Sequence, residues 1–236
     1  DVDPDSMAVL APEKYPMAGR TTHEVTIGVY DVKADKTIYL KVGSPKDRYF
    51  VNIGWSPDGR TIYLKEFNRK QNEMSLDAYD AVTGDKRATL YTERHEKYIT
   101  SYTSVAFLPW DADKFIIQSQ KDGYNHLYLF NTKGEMLRQL TSGNFVVYDL
   151  LGFDKARKRA IILSAESSPI QSNLYAVDIA TGKRTLLDNG RGVHANIISP
   201  SGFHDRALSP DGGWIIDNYA EPTVPRNIDF INLKTD

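Results

Sequence analysis

Short apolar–aromatic runs alternate with polar turns along the whole chain, and one run recurs. Five copies end in Asp or Asn: Ile27-Gly28-Val29-Tyr30-Asp31, Leu76-Asp77-Ala78-Tyr79-Asp80, Leu127-Tyr128-Leu129-Phe130-Asn131, Leu174-Tyr175-Ala176-Val177-Asp178 and Ile228-Asp229-Phe230-Ile231-Asn232. Their last residues are spaced by 49, 51, 47 and 54 positions. The first four are followed by turn chemistry: Ala34-Asp35-Lys36, Thr83-Gly84-Asp85, Lys133-Gly134-Glu135 and Thr181-Gly182-Lys183. Glycine in such a turn supplies positive φ without steric cost. A second run then closes a hairpin: Arg87-Ala88-Thr89-Leu90, Leu137-Arg138-Gln139-Leu140 and Arg184-Thr185-Leu186-Leu187.

A second motif lies upstream in the period. Trp55-Ser56-Pro57-Asp58-Gly59 precedes Thr61-Ile62-Tyr63-Leu64, and Leu208-Ser209-Pro210-Asp211-Gly212 precedes Trp214-Ile215-Ile216. A weaker version runs from Phe107 through Pro109-Trp110-Asp111-Ala112-Asp113 before Phe115-Ile116-Ile117. Ser-Pro-Asp-Gly is a tight turn, with Pro presetting φ at its first central position. Each unit therefore reads as four antiparallel strands, and no long segment carries a capped helical period. Four-stranded sheets repeating at about 50 residues bury their faces by radial stacking. The expected fold is all-β, a β-propeller of about five units near 1–48, 49–97, 98–143, 144–190 and 191–236. The first unit is thin in inner strands, with Pro4, Pro12 and Pro16 before Ile27, and the last leaves no room for an outermost strand. The reading is part of a larger ring. The start, Asp1-Val2-Asp3-Pro4-Asp5, has no initiator Met, basic region or apolar leader, so a processed or excised piece of a longer chain is expected.

Composition narrows the function. The 236 residues are 41% hydrophobic and 25% charged, with no Cys. Twenty-nine basic against 31 acidic residues give a formal charge of −2, which argues against a nucleic-acid protein. No stretch approaches the ~20 apolar residues of a membrane helix. The absence of Cys removes disulfides, Cys-ligated zinc and a cysteine nucleophile.

Several motifs invite a chemical reading and fail it. Gly54-Trp55-Ser56-Pro57-Asp58 imitates a nucleophile elbow, but its fifth residue is not Gly. The residue after the serine is Pro57, which has no N–H for an oxyanion hole. His23, His95, His126, His194 and His204 form no close metal-binding pair, so no metal and no cofactor are expected. His126, inside an apolar strand, reads as a hydrogen-bonded core residue. Asp58, Asp122 and Asp211 precede Gly and read as turn-bonding residues, since no calcium loop surrounds them. Arg87, Arg94, His95 and Lys97 with Tyr91 and Tyr98 read as a solvated surface beside Glu93 and Glu96.

An ordered set of landmarks remains. It comprises Tyr15-Pro16-Met17-Ala18-Gly19 with Val25 to Tyr30, then Gly54 to Gly59, then Ser119-Gln120-Lys121-Asp122-Gly123-Tyr124-Asn125-His126-Leu127-Tyr128-Leu129. Gln139-Leu140-Thr141-Ser142-Gly143-Asn144-Phe145-Val146-Val147 follows, then Asn173-Leu174-Tyr175, His194-Ala195 and Ser209 to Gly212. In this order they resemble the propeller domain of the dipeptidyl peptidase IV family of prolyl-oligopeptidase-like serine peptidases. That family often has Glu at the site of Gln120 and usually Trp at the site of Phe145.

The resemblance implies the second half of an eight-bladed propeller that caps a C-terminal α/β-hydrolase domain. The catalytic Ser, Asp and His would lie in that domain, and the Glu pair that holds the substrate's amino terminus would lie upstream of Asp1. The segment Tyr98 to Thr103 matches a substrate-facing loop but lacks its Arg, leaving Ser101 and Tyr102 as candidate tunnel-facing residues. The implied role is non-catalytic: gating and shaping access to a hydrolase that releases X-Pro and X-Ala dipeptides. Implied partners are the protein's own hydrolase domain and peptide substrates, with a periplasmic or exported location. A homodimer through the Val25–Val42 hairpin is a further implication. The alternative is a stand-alone periplasmic propeller that binds a protein partner, which would have to close its ring from residues 1–26 or 233–236. A glycan-active enzyme would need a central carboxylate pair, and no motif supports one.

Overall fold

A computed structural model describes residues 10–14, 17, 19–100, 103–194 and 208–235. Among these, every regular element is a β-strand. Strands β1 (Gly28–Asp31) and β2 (Lys36–Tyr39) form an antiparallel hairpin, the first blade. The second blade is the four-stranded meander β3 (Arg48–Trp55), β4 (Thr61–Asn68), β5 (Glu73–Asp80) and β6 (Lys86–Arg94). The third is β7 (Ala106–Leu108), β8 (Asp111–Ser119), β9 (His126–Asn131) and β10 (Met136–Gln139). The fourth is β11 (Val147–Asp154), β12 (Arg159–Ser164), β13 (Asn173–Asp178) and β14 (Arg184–Leu186). The last blade pairs β15 (Trp214–Glu221) with β16 (Val224–Asn232), and Leu208 adds an isolated bridge to Ile215. The architecture is a β-propeller fragment, as the sequence predicts.

The middle strands bury side chains on both faces, which explains why they read as nearly continuous apolar runs. Along β8, Phe115 and Ile117 enter the layer shared with the second blade, while Ile116 enters the layer shared with the fourth. Along β9, Tyr128 and Phe130 take the first of these layers, and Leu127 and Leu129 the second. β12 continues the pattern, with Ala160 and Ile162 toward the third blade and Ile161 and Leu163 toward the last. Each fully buried Ile, Leu or Phe among them contributes about 1.5–3 kcal/mol relative to exposure. Aromatic rings order the layer between the second and third blades: Phe115 stacks on Phe130 at 6.1 Å, and Tyr63 meets Phe107 edge-on at 5.3 Å.

The two Ser-Pro-Asp-Gly turns are built alike. Ser56 Oγ donates to Asp58 Oδ1 at 2.5 Å and accepts from the Thr61 N–H at 2.9 Å. Ser209 Oγ donates to Asp211 Oδ1 at 2.6 Å and accepts from the Trp214 N–H at 3.0 Å. The weaker Pro-containing turn differs from expectation. Only Pro109 and Trp110 separate β7 from β8, so Asp111 to Asp113 belong to the strand rather than to a longer turn. The Leu108↔Asp111 pairing closes this short connection.

The Val25–Val42 segment also does more than project outward. Leu40 is buried, and Ile27, Val29 and Val42 pack with it on Ile62, Leu64 and Tyr79 of the second blade. Tyr30 and Tyr39 stay exposed on the opposite face.

Outer hairpins lock neighbouring blades through their turn glycines. A Cβ on Gly134 (φ +87°) would lie 2.6 Å from the Leu90 carbonyl oxygen of the preceding blade. A Cβ on Gly84 (φ +74°) would lie 2.3 Å from that of Tyr39. Gly59 (φ +68°) has the same backbone conformation but open space around it. Gly59→Ala is therefore expected to destabilise by about 1 kcal/mol through backbone conformation alone. Gly134→Ala should add roughly 1–3 kcal/mol of overpacking at the blade seam. Chemical-denaturation midpoints test this, and equal losses for the two variants would refute the seam contact.

Candidate functional site

Two groups of motif residues prove structural in their contacts. Ser56, Pro57, Asp58 and Gly59 form a turn open to solvent, whereas in the second turn Pro210 and Asp211 are exposed but Gly212 is buried against the Phe153 carbonyl. Asp211 is held at about 2 by the hydroxyl of Ser209, the Gly213 N–H and Lys234. Asp58 is likewise lowered, chiefly by Ser56. Ser56 is thus bound to its own turn and has no histidine partner. Trp55, beside it, is half exposed.

The Asp122-Gly123-Tyr124 turn opens β9. Asp122 accepts from Gln139 Nε2, tying the turn to β10. Tyr124 remains exposed, whereas the next two residues are fully buried. Asn125 donates to the Val147 carbonyl at 2.5 Å and accepts from the Val147 N–H at 2.9 Å, joining the third blade to the fourth. His126 Nε2 donates to the Gly143 carbonyl at 3.0 Å, while its Nδ1 lies 3.0 Å from Thr141 Oγ1. Thr141 also accepts the Leu127 N–H, and Phe145 meets the imidazole edge-on at 5.0 Å. Thr141 donates to the ring and no carboxylate adjoins the pair, so this buried Thr–His contact is a clasp and not an activated nucleophile.

A cluster of charges between the second and third blades escaped the sequence reading. Lys65 of β4 is only 1% exposed, and burial lowers its ammonium to about 8 despite the charge of Glu93. Glu93 accepts from Tyr91 Oη at 3.0 Å and from Ser119 Oγ at 2.6 Å. Lys121 Nζ sits 4.2 Å from the centre of the Tyr128 ring. The opposite face of the blade is charged too. Arg48 Nη1 lies 2.9 Å from Glu66, which also accepts from Tyr79 Oη. Burial raises the Glu66 carboxyl above its usual range, although both partners oppose it. Burial works against the Asp77 carboxylate as well, but bonds from Lys86, Thr89 and Ser75 outweigh it and lower the carboxyl. The available signal was Lys65-Glu66 inside an apolar run, where neither strand face offers solvent.

At the β4–β5 end of this blade opens a cleft of about 570 Å³. Arg48, Arg94, Glu66, Glu73 and Glu93 surround it, with Phe67 and Met74 as apolar wall. Donors and acceptors of both signs over apolar surface suit contact with polypeptide. Ser75 donates to Asp77 at 2.7 Å and Ser119 to Glu93, and among the described residues no serine hydroxyl bonds a histidine ring. No described group of three or more His, Asp or Glu converges as a metal site. Ser101 and Tyr102, the candidate tunnel-facing residues, lie outside the described residues, as does His204.

Comparison with known proteins identifies the family. A probable dipeptidyl peptidase 4 of Aspergillus flavus is 26% identical over 223 residues, spanning 90% of this chain and 28% of the relative. A probable dipeptidyl-aminopeptidase B of Talaromyces marneffei is 26% identical over 227 residues, spanning 90% and 24%. The crystal structure of a putative dipeptidyl aminopeptidase IV from Bacteroides ovatus superposes with a TM-score of 0.79 at 37% identity, covering 94% of this chain and 33% of that one. Porphyromonas gingivalis dipeptidyl peptidase 4 gives 0.80 at 26% identity, covering 94% and 30%. The chain thus spans a quarter to a third of the length of these relatives. The family described as the dipeptidyl peptidase IV N-terminal region matches residues 5–226, and the chain belongs to it.

Proposed function

We propose that the chain is the non-catalytic propeller section of a dipeptidyl peptidase IV-like serine exopeptidase. In this reading it caps a hydrolase domain of the same polypeptide, excludes large folded substrates and guides peptide amino termini inward. Hydrolysis of X-Pro and X-Ala dipeptides from those termini belongs to the hydrolase, through an acyl-enzyme on a Ser-His-Asp triad. The observation that carries the proposal is a family match over nearly the whole chain, residues 5–226. Stacked antiparallel sheets suit a frame that positions loops. Export to the periplasm or beyond is part of the same proposal, and cell fractionation tests it.

An immunoblot of the source cell against this chain is expected to show a band near roughly 80 kDa, the sum with a second propeller part and a hydrolase of about 150–250 residues each. That species should cleave a chromogenic Gly-Pro substrate. A band near 26.6 kDa would overturn the proposal in favour of a stand-alone partner-binding propeller.

The chain alone should self-associate through its end blades. Trp214, Ile216, Ile228 and Phe230 are exposed on paired strands of the last blade, Phe230 by 67%. Tyr30 and Tyr39 are exposed on the first blade, and Ile53 and Trp55 on β3 beside it. Sedimentation should show oligomers that Ile216→Lys with Phe230→Lys reduces to monomer; a monomeric wild-type chain would refute this. In the full-length protein we place a homodimer contact on the exposed face of the β1–β2 hairpin. Tyr30→Lys with Tyr39→Lys should convert dimer to monomer, and an unaffected dimer would exclude that face.

A further inference from the structure

The seam between the fourth and last blades is closed by a residue the proposed activity does not use. The segment at Val193 bridges two sheets: the Val193 N–H donates to the Ala220 carbonyl at 2.9 Å, and the Ala220 N–H returns a bond at 3.0 Å. On its other side the His194 N–H donates to the Ser172 carbonyl at 2.8 Å. The His194 side chain then crosses the seam and is 1% exposed. Its Nδ1 lies 2.7 Å from Asp217 Oδ2 on β15 and 3.6 Å from Asp188 Oδ2 after β14. Its Nε2 lies 2.5 Å from the Arg191 carbonyl oxygen. The Tyr219 ring stacks on it at 4.8 Å.

Both ring nitrogens thus face oxygens that only accept. A neutral imidazole carries one N–H and can make one of these bonds, whereas an imidazolium makes both. Asp217 and Asp188 are the charged groups facing the ring from β15 and from the segment after β14; Arg191 contributes its carbonyl. Asp188 is anchored by the Leu174 N–H at 2.6 Å and the Gly190 N–H at 2.8 Å, so it cannot swing away to follow the ring. We propose that His194 is a proton-operated clasp: as an imidazolium it locks the last blade to the fourth, and loss of its proton loosens the seam. Val193 and His194 also line a groove of about 380 Å³ with Tyr148 and Ile170, whose shape would follow the clasp.

The direction is supported by titration physics. Burial pulls the imidazolium pKa down, but Asp217, Asp188 and the Arg191 carbonyl outweigh it, leaving it above the usual histidine value. A raised folded-state value means that the stabilisation is complete below the unfolded value, near 6.5, and is lost as pH rises through the folded value. The clasp therefore holds fully just below about 6.5, where the carboxylates are still ionised, and loosens as pH rises through the folded value.

Hydrogen–deuterium exchange on the full-length protein tests this, with times rescaled for intrinsic exchange. Peptides covering 188–194 and 214–221 should lose protection by at least about threefold between pH 6 and pH 9, relative to β9. His194→Gln should remove that difference while β9 stays protected. Protection that is independent of pH in the wild type, or the same pH dependence in His194→Gln, would overturn the proposal. Should His194→Gln fail to fold, Asp217→Asn provides the second variant, expected to move the transition to lower pH; an unmoved transition would also overturn it.

Discussion

A sheet that is apolar on both faces is stable only between two neighbours. This constraint governs the molecule. The second, third and fourth blades each place alternate residues of the same strand into two different layers, so no blade owns its core. Ile161 and Ile162 are adjacent in sequence yet belong to layers on opposite sides of one sheet. Register is thereby fixed strongly, because a slip of one residue would exchange the contents of two cores at once. The turn glycines follow from the same constraint. Layers this close bring the outer hairpin of one blade against the backbone of the previous one, and Gly134 over Leu90 leaves no space for a side chain.

Against this apolar frame the buried charges are localised. The layer between the third and fourth blades is built from aliphatic and aromatic side chains, with Asn125 as a polar tie. The second blade carries Arg48, Glu66 and Asp77 on one side and Lys65 and Glu93 on the other. Buried ion pairs are poor sources of net stability, since desolvation offsets much of their attraction. Their geometry is nonetheless directional: Glu66 is held by both Arg48 and Tyr79, and Asp77 by three donors. The apolar layers supply the stability, and the charged sites fix how the second blade and the last blade meet their neighbours.

Much of the frame was legible in the sequence because it is local chemistry repeated. A Ser-Pro-Asp-Gly turn needs its own hydroxyl, carboxylate and glycine, and both copies form the same bonds. The apolar run before each outer turn likewise marks β1, β5, β9, β13 and β16. Trp110 was harder, since a two-residue connection leaves little turn composition to read. The charged sites were not legible, because their partners are distant in sequence: Lys65 and Glu93 lie on different strands, and Asp217 is 23 positions from His194. His126 follows Asn125 in an apolar strand and His194 follows Val193 in a Gly-rich stretch, and neither setting names the ring's partners. Only the folded chain separates them, by placing a hydroxyl beside one ring and carboxylates beside the other.

That difference sets what each histidine can do. His126 faces one carbonyl and one hydroxyl, and a hydroxyl can donate or accept, so both ring nitrogens find a partner and β9 stays joined to the turn after β10. His194 faces a carboxylate and a carbonyl, and neither can donate. The same side chain is therefore a hydrogen-bonded tie within one blade and a proton-dependent clasp between two others. A frame assembled only from apolar layers would have no chemical variable to which its seams respond. Placing an imidazolium between two carboxylates at the last seam introduces one, at the blade that also exposes Trp214, Ile216, Ile228 and Phe230.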